Sequence, residues 1–249
     1  MLISNPRGNY RFVPGIAPFS SAVIADPGFE IIHARMRELT PLDPGFALVD
    51  QCLQAASRPR TALCGVHLRL PKPLTSQGFD EFNRPYIEGL RAWGLEVEGA
   101  NPVARTNVAL EVDPPERPCL AGFFYTVPAS HAAPTFVVSG TPEVQARSAA
   151  GRQIVAAGDV SPAGMRLKAQ CVLEVLEKRL SELEMNWGTV TSINLYTTAD
   201  IHPLLPTLLL PSMGKAGRAG ITWFYARPPV QGLDLEIDLF TVRQQLMVG

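Results

Sequence analysis

The sequence lacks the features that would direct it to a membrane or to nucleic acid. Its charge is nearly balanced, with 22 Lys and Arg against 23 Asp and Glu and a net charge of −1. Such a chain has no general attraction for nucleic acid or for an anionic membrane. No apolar run is long enough to span a bilayer. Residues 1–12 contain no apolar core like that of a signal peptide, which predicts a cytoplasmic protein.

Metal, redox and nucleotide motifs are missing as well. The four cysteines are dispersed without a Cys-x-x-Cys pair, and the four histidines have no spacing typical of metal ligands. The sequence contains neither Gly-x-Gly-x-x-Gly nor Gly-x-Ser-x-Gly. We therefore expect reduced thiols, and chemistry that needs no metal or cofactor.

What the sequence does contain is a globular composition, with 46% hydrophobic and 18% charged residues. A length of 249 residues allows one large or two small domains. In the first half, some segments have apolar residues at every second position, which predicts strands, and others have them with a period of 3.6, which predicts helices. The expected strands are residues 29–32, 61–70, 108–112 and 120–127, and the expected helices are residues 45–56 and 79–93. The last two strands are predicted to form a hairpin.

The second half predicts the same order of elements. Its expected strands are residues 136–138, 153–157, 190–196, 221–225 and 233–242, with a helix over residues 167–183. Pro203, Pro206 and Pro211 interrupt the place of a second helix, because proline removes a helical hydrogen bond and clashes with the preceding turn. The repeat predicts two α+β domains, residues 1–128 and 129–249, each with helices on one face of a mixed sheet.

The last long strand carries an acidic row. Asp234, Glu236 and Asp238 alternate with apolar residues that are expected to face the core. The acidic face is either solvated or covered by another subunit in an oligomer.

Several short segments, in this order, resemble the RidA (YjgF-like) family of small trimeric enamine and imine deaminases. Residues 15–20 (Gly-Ile-Ala-Pro-Phe-Ser) are similar to its Gly-Pro-Tyr-Ser opening, and residues 103–108 (Val-Ala-Arg-Thr-Asn-Val) to its Pro-Ala-Arg-Ser-Cys-Val segment. Residues 153–160 are similar to its strand followed by Ser-Gly-Gln, and residues 221–242 to its C-terminal hairpin. The resemblance covers most of the chain as two diverged copies. It implies a ferredoxin-like, chorismate-mutase-like topology in each copy.

The resemblance also implies site residues. Arg105 stands where the family arginine grips the substrate carboxylate, and Glu236 where a glutamate handles the hydrolytic water. Other residues at family positions are candidate substrate contacts, namely Phe19, Asn107, Gly158 and Thr222. Arg35 replaces a family glycine in the first copy and is a second candidate for binding a dicarboxylate.

Neither copy keeps the complete pair. The first copy has Arg105, but Ala121 and Gly122 stand where the glutamate is expected. The second has Glu236, but its arginine position is nearest to Gly220, with Arg218 two residues away. Two sites are therefore conceivable, one pairing Arg218 with Glu236 and the other pairing Arg105 with Glu236 across an interface.

The function implied by the resemblance is a metal-independent deaminase that hydrolyses an enamine or imine of a small carboxylic acid. A 2-aminomuconate-type substrate from aromatic catabolism fits the surplus of candidate arginines. The alternative is a non-catalytic protein that binds a small carboxylate as a regulator. A lyase or isomerase on the chorismate-mutase-like architecture is a third possibility. Domains of this family close in threefold arrangements. With two domains per chain and the closed symmetry usual in soluble oligomers, the resemblance implies a homotrimer.

Overall fold

The computed structural model describes residues 2–130, 133–148 and 151–249. Its strands are β1 (Ile3–Asn5), β2 (Tyr10–Val13), β3 (Ala22–Ala25), β4 (Phe29–Pro41), β5 (Leu63–Leu70), β6 (Ala104–Leu110), β7 (Cys119–Pro128), β8 (Phe136–Pro142), β9 (Val144–Ser148), β10 (Gly151–Ile154), β11 (Ser192–Tyr196), β12 (Thr222–Phe224), β13 (Ala226–Arg227), β14 (Glu236–Thr241) and β15 (Gln245–Val248). Its α-helices are α1 (Leu42–Ala55), α2 (Ser76–Ala92), α3 (Pro162–Glu182) and α4 (Leu210–Met213). His131 lies outside the described residues.

Two copies of one sheet topology follow each other along the chain. In the first copy four strands lie in the order β6-β5-β7-β4, and in the second the order is β12-β11-β14-β8. The β5–β6 and β11–β12 pairs are parallel, and the other pairs within these sets are antiparallel. The predicted tandem α+β fold is confirmed by this match. The division of the chain at residue 128 stays a prediction.

Each sheet is completed by strands from the other half of the sequence. The N-terminal strands β1, β2 and β3 extend the second copy's sheet beside β8. In return, β15 pairs in parallel with β4, and β13 pairs with β6, in the first copy's sheet. The two halves are therefore joined by backbone hydrogen bonds as well as by side-chain packing.

The two sheets pack face to face, with helices on their outer sides. Phe124 of one sheet and Phe240 of the other meet between them, with ring centroids 5.2 Å apart. Leu53 of α1 packs on the outside of the first sheet, and Leu176 of α3 on the outside of the second. Full burial of such a side chain contributes roughly 1.5–3 kcal/mol.

Helix α2 shows how local sequence sets the ends of an element. The Thr75 side chain accepts a hydrogen bond from the Gly78 amide, at 3.0 Å, and so caps the first turn. After Trp93, Gly94 adopts a φ of +73°, which stops the helix as expected from its sequence. Phe79 and Tyr86 face inward from this helix, and they become part of the site described below.

The prolines of the second copy prevent a matching long helix. Residues 202–213 form a 3₁₀ turn, a π turn and the four-residue α4 in succession. None of the helices in the described part of the chain is long and apolar enough to cross a membrane.

The predicted hairpin between residues 108–112 and 120–127 is wrong. Strand β5 lies between β6 and β7 and pairs with both of them. In the same way, β11 separates β12 from β14, so the C-terminal segment is not a hairpin either. Two strands that are consecutive in the sequence show the same local pattern whether they pair with each other or lie on either side of a third strand. The sequence pattern therefore did not reveal that β5 and β11 intervene.

Candidate active site

A pocket of about 310 Å³ opens where β6 of the first sheet approaches β8 and β14 of the second. The Arg105 amide donates to Ser139 Oγ at 2.9 Å, and Ser139 Oγ in turn donates to the Ser20 carbonyl at 2.6 Å, which ties β6 to β8 at this place. Arg105 and Glu236 both line the pocket. The structure therefore brings together, within one chain, the arginine of the first copy and the glutamate of the second.

Arg105 is a buried cation held by aromatic rings. Its side chain is 2% exposed. Its guanidinium carbon lies 4.8 Å from the ring centroid of Tyr86 and 4.9 Å from that of Phe19, with Phe79 and Phe82 slightly farther away. Cation–π contacts of this kind stabilise the charge but leave the N–H donors available.

The donors of Arg105 are available to a ligand. None of its three side-chain nitrogens makes a hydrogen bond of good geometry in the described part of the chain, although the Tyr86 hydroxyl is close enough to stabilise the charge. Burial lowers the pKa of Arg105 to about 10, opposed by the nearby Tyr86 and Glu236, so the guanidinium stays charged at neutral pH. A buried unsatisfied donor is costly, and a carboxylate ligand would satisfy two of these donors at once.

Glu236 is the buried carboxyl of the pocket. It begins β14 opposite Tyr196 and Pro142, and is 3% exposed. Burial raises its pKa well above the usual 4.5, and the negative charges of Asp238 and Glu143 raise it further. Arg105 and Arg179 oppose this rise. A carboxyl group in these surroundings is a stronger base than a solvated one.

Because Gly140 has no side chain, the Glu236 carboxylate can occupy the space beside it. A Cβ atom at Gly140 would overlap Oε1 of Glu236 and lie 3.2 Å from Cγ2 of Thr106. The β8–β14 pairing shifts register between Ile237 and Leu239, next to this contact. Such an irregularity changes the direction of side chains at a strand end.

The acidic row on β14 is covered by the first sheet of the same chain. Asp238 is 1% exposed and accepts hydrogen bonds from Asn194 Nδ2 at 2.9 Å and the Tyr196 hydroxyl at 2.8 Å. Its Oδ2 lies 3.5 Å from Nε2 of His67 on β5. Burial raises the pKa of Asp238 to about 6. Neither alternative, a solvated face or a face covered by another subunit, describes Glu236 and Asp238, because the first sheet of the same chain packs over them.

Asn107 and Phe19 also line this pocket. Asn107 is 4% exposed, and neither Oδ1 nor Nδ2 of its side chain has a hydrogen-bond partner among the described residues. Its amide can therefore both donate to a ligand and accept from one. Phe19 packs against the guanidinium of Arg105 at the pocket wall.

Arg179 was not predicted as a site residue. It extends from α3 to the pocket, where its Nη1 donates to the Ser139 carbonyl at 3.0 Å and to the Thr141 hydroxyl. Its only sequence signal is its position in the apolar stripe of α3, three residues after Leu176. An arginine on the buried face of a helix usually has a polar partner on the sheet below.

A buried ionic group fixes the chain just before Glu236. Lys168 of α3 is fully buried, with Nζ 2.9 Å from Asp234 Oδ2 and 3.3 Å from Glu143 Oε1. The Glu143 carboxylate also accepts hydrogen bonds from the amides of Asp234, at 2.6 Å, and Leu235, at 3.2 Å. These contacts hold residues 234–235 and thereby position the first residue of β14.

The other predicted contacts lie elsewhere. Arg35 and Thr222 line a second pocket between the sheets. Arg218 is exposed on a 3₁₀ turn, and Gly158 is exposed in a turn with a φ of +75°. Neither of them lines the pocket that contains Glu236.

A family model described as 2-aminomuconate deaminase CnbZ matches residues 2–246. The chain belongs to this family. A curated relative, 2-amino-5-chloromuconate deaminase from Comamonas testosteroni, is 39% identical over 237 residues, and the match covers 93% of each chain. Membership in the family confirms the deaminase resemblance drawn from the sequence.

Comparison with solved structures gives matches that include one over most of the chain and a weaker one over about half of it. A chorismatase matches with a TM-score of 0.50 and 13% identity, covering 89% of this chain and 77% of its own. A YjgF family protein from Mycobacterium tuberculosis matches with a TM-score of 0.27 and 17% identity, over 45% of this chain and 81% of its own. At this identity the chorismatase shares only the fold.

Potential metal ligands do not gather in the described part of the chain. Within residues 2–130, 133–148 and 151–249, no group of three or more His, Cys, Asp or Glu side chains is arranged to hold a metal ion.

Proposed function

We propose that the chain hydrolyses the imine tautomer of a 2-aminomuconate-type dicarboxylate, giving the 2-oxo acid and ammonia. The observation that carries this proposal is the pairing, in one pocket, of a buried arginine with available donors and a buried glutamate with a raised pKa. The family membership supports the class of substrate.

Arg105 is proposed to bind a substrate carboxylate. Its planar guanidinium can donate two parallel hydrogen bonds to the two carboxylate oxygens, which fixes both the position and the plane of the group. The surrounding rings of Phe19 and Tyr86 exclude water and leave an apolar surface for the unsaturated chain of the substrate. Asn107 offers an amide for the substrate nitrogen or for the attacking water.

Glu236 is proposed to act as the general base and then as the general acid. As its carboxylate takes a proton from water, the water oxygen bonds to the carbon of the protonated C=N group and forms a carbinolamine. Glu236 then returns that proton to the nitrogen. It next removes the proton from the new hydroxyl while the C–N bond breaks, which yields the oxo acid and ammonia. Glu236 then passes this proton to the departing ammonia, so that ammonium leaves and Glu236 is again a carboxylate. Transfers by a positioned carboxylate typically contribute ~10²–10⁴-fold in rate.

The experiment is a measurement of ammonia release from freshly generated 2-aminomuconate, with EDTA present, because the proposed steps use no metal. Glu236→Gln keeps the shape of the side chain but cannot accept a proton, so we expect kcat to fall by ~10²–10⁴-fold. Glu177→Gln, an exposed change on α3, is the control and should not alter the rate. If Glu236→Gln releases ammonia at the wild-type rate, Glu236 is not the base. If the wild-type chain releases no more ammonia than the uncatalysed reaction, the non-catalytic carboxylate-binding function takes the place of this proposal.

The same assay separates the two candidate anchors. Arg105→Lys loses the two-pronged contact and should raise KM more than it lowers kcat. Arg218→Lys is the matched control, because Arg218 is exposed and does not line the pocket. A higher KM in Arg218→Lys, with the KM of Arg105→Lys unchanged, would show that Arg218 binds the substrate carboxylate.

We further propose a cytoplasmic homotrimer whose two domains per chain divide near residue 128. Support for assembly comes from two edge strands that present apolar side chains to solvent. Tyr225 beside β12 is 53% exposed, and Met247 on β15 is 57% exposed. Exposed apolar side chains at a sheet edge are typical of surfaces that become buried in oligomers.

A further inference from the structure

The second pocket is the counterpart of the first in the repeated topology. The matching strand orders make β6 equivalent to β12, β7 to β14, and β4 to β8. The first pocket is built on β6, β8 and β14, and the second, of about 360 Å³, on their equivalents β12, β4 and β7 together with parts of β5 and β11. One chain therefore contains two related cavities of similar size with different side chains.

The second pocket lacks the catalytic carboxylate of the first. Ala121 of β7 lines it, in the region where the second copy has Glu236. Asp238 lies behind the wall beside His67, and its carboxylate is engaged by Asn194 and Tyr196. None of the described residues on its wall is an Asp or Glu, and burial lowers the pKa of both histidines on the wall, which makes them weak bases. This cavity is therefore suited to binding alone.

Two arginines give the second pocket a positive charge. Arg35 is exposed at its rim, and Arg69 is 6% exposed in its wall. The Arg69 guanidinium carbon lies 5.5 Å from the ring centroid of Tyr196 and 5.3 Å from that of Phe224. As with Arg105, aromatic rings hold a cation beside a cavity.

Two buried histidines supply unused polar atoms. His33 and His67 are 4% and 6% exposed, and their rings meet edge to face with centroids 5.3 Å apart. Neither ring nitrogen of His33 has a hydrogen-bond partner in the described part of the chain. Burial lowers the pKa of His33 to about 2 and that of His67 to about 3, with further lowering by Arg35 and Arg69. Both rings are thus neutral at pH 7, and each keeps one N–H donor.

We propose that this second pocket binds a small organic carboxylate without transforming it. The carboxylate would be held by Arg35, Arg69 and the His33 N–H, with its carbon chain against Phe224 and Phe240. The ligand class follows from this combination, since two cations and a neutral donor favour an anion while the aromatic wall favours an apolar body.

The test uses cis,cis-muconate, a dicarboxylate that has no amino group to release. Isothermal titration calorimetry on the full chain should give two sites in the wild type and one in Arg105→Gln. Arg35→Gln should also lose one site or weaken it by tenfold or more, and Ala121→Leu, which fills the cavity, should abolish the same site. Arg37→Gln is the matched control, because Arg37 is on the same strand but does not line the pocket.

Histidine ring NMR identifies which pocket is filled. In Arg105→Gln, adding muconate should shift the ring ¹⁵N signals of His33 and His67 and leave that of exposed His202 in place. Binding that survives both Arg35→Gln and Ala121→Leu, or no histidine shift at millimolar muconate, would overturn the second site. If Arg105→Gln keeps both sites while Arg35→Gln loses one, the proposed anchor is contradicted and the second pocket stands.

Discussion

At the scale of single residues, two sets of neighbours shift the pKa of Glu236 in opposite directions. Burial and the neighbouring Asp238 and Glu143 favour its protonated form, while Arg105 and Arg179 favour the carboxylate. Its proposed role as a base requires the carboxylate, so the balance among these groups sets the pH range in which the enzyme works.

The pH dependence of kcat/KM should report this balance. Below its pKa, Glu236 is protonated and cannot accept a proton from water, so activity should fall as the pH drops through a value well above 4.5. Arg105→Gln removes a charge that lowers this pKa and should move the acid limb to higher pH, whereas exposed Arg218→Gln should not. The measurement is initial ammonia release across the acid and neutral range. An acid limb near 4.5 would mean that Glu236 is solvated and would contradict the buried site.

Gly140 offers a steric test of the same residue. Gly140→Ala places a methyl group where Oε1 of Glu236 lies, so the carboxylate must move. A displacement of about 1 Å can cost ~10²-fold in rate, and we expect a loss of that order in kcat. Gly89→Ala is the control, because nothing lies within 4 Å of a Cβ there and Ala favours the α2 helix. Wild-type activity in Gly140→Ala would show that the position of Glu236 is not critical.

The sequence alone indicated Arg105 and Glu236 as candidates, because each stands in a short recognisable segment. It left open whether they belong to one chain, and the structure brings them together through the packing of the two sheets. Arg179 and Lys168 were missed because each is one charged residue within an amphipathic helix. Such a residue is noticed only when the sheet beneath it is known.

Among the elements, α3 does more than cover a sheet. One face contributes apolar side chains to the core, and the same helix places Lys168 near the start of β14 and Arg179 at the pocket. The helix therefore links the stability of the second copy to the position of Glu236.

Lys168→Met should reveal that link. The change leaves Glu143 and Asp234 close together without their buried cation, and removing one member of a buried ion pair typically costs about 3–5 kcal/mol. We expect a decrease of this size in the free energy of unfolding, measured with urea, together with lower kcat. Lys178→Met, exposed on the same helix, should change little. An unchanged unfolding midpoint would mean that the ionic group is not needed for the fold.

Periodicity predicted strands and helices well, but not which strands are neighbours. The residues of β5, β6 and β7 all carry a strand pattern, and nothing in that pattern shows that β5 lies between the other two. The order of strands in a sheet depends on contacts between residues far apart in the sequence, and the local spacing of apolar residues does not indicate it.

For the whole molecule, the tandem repeat was visible in the sequence, but the exchange of strands between its halves was not. Strands β1, β13 and β15 are each short, and each completes a sheet formed mainly by the other half. Short edge strands have weak sequence signals, so the sheet to which each belongs cannot be predicted from its own residues.

Assembly is the prediction at this scale. If the edge strands with Tyr225 and Met247 are covered by other subunits, light scattering at micromolar concentration should give three times the chain mass of 27.0 kDa. Tyr225→Lys should weaken the assembly, and Arg37→Lys serves as a conservative surface control. A monomer at that concentration would contradict the proposed trimer.

The pairing of β15 with β4 has a consequence for the birth of the protein on the ribosome. Residues 29–41 are synthesised early, but their parallel partner, residues 245–248, emerges more than 200 residues later. Until then the edge of β4 is open, while nascent chains generally begin to fold from the N-terminal side. During most of translation this edge is therefore free to pair with other chains, and a chain cut short before β15 would keep that hazard permanently.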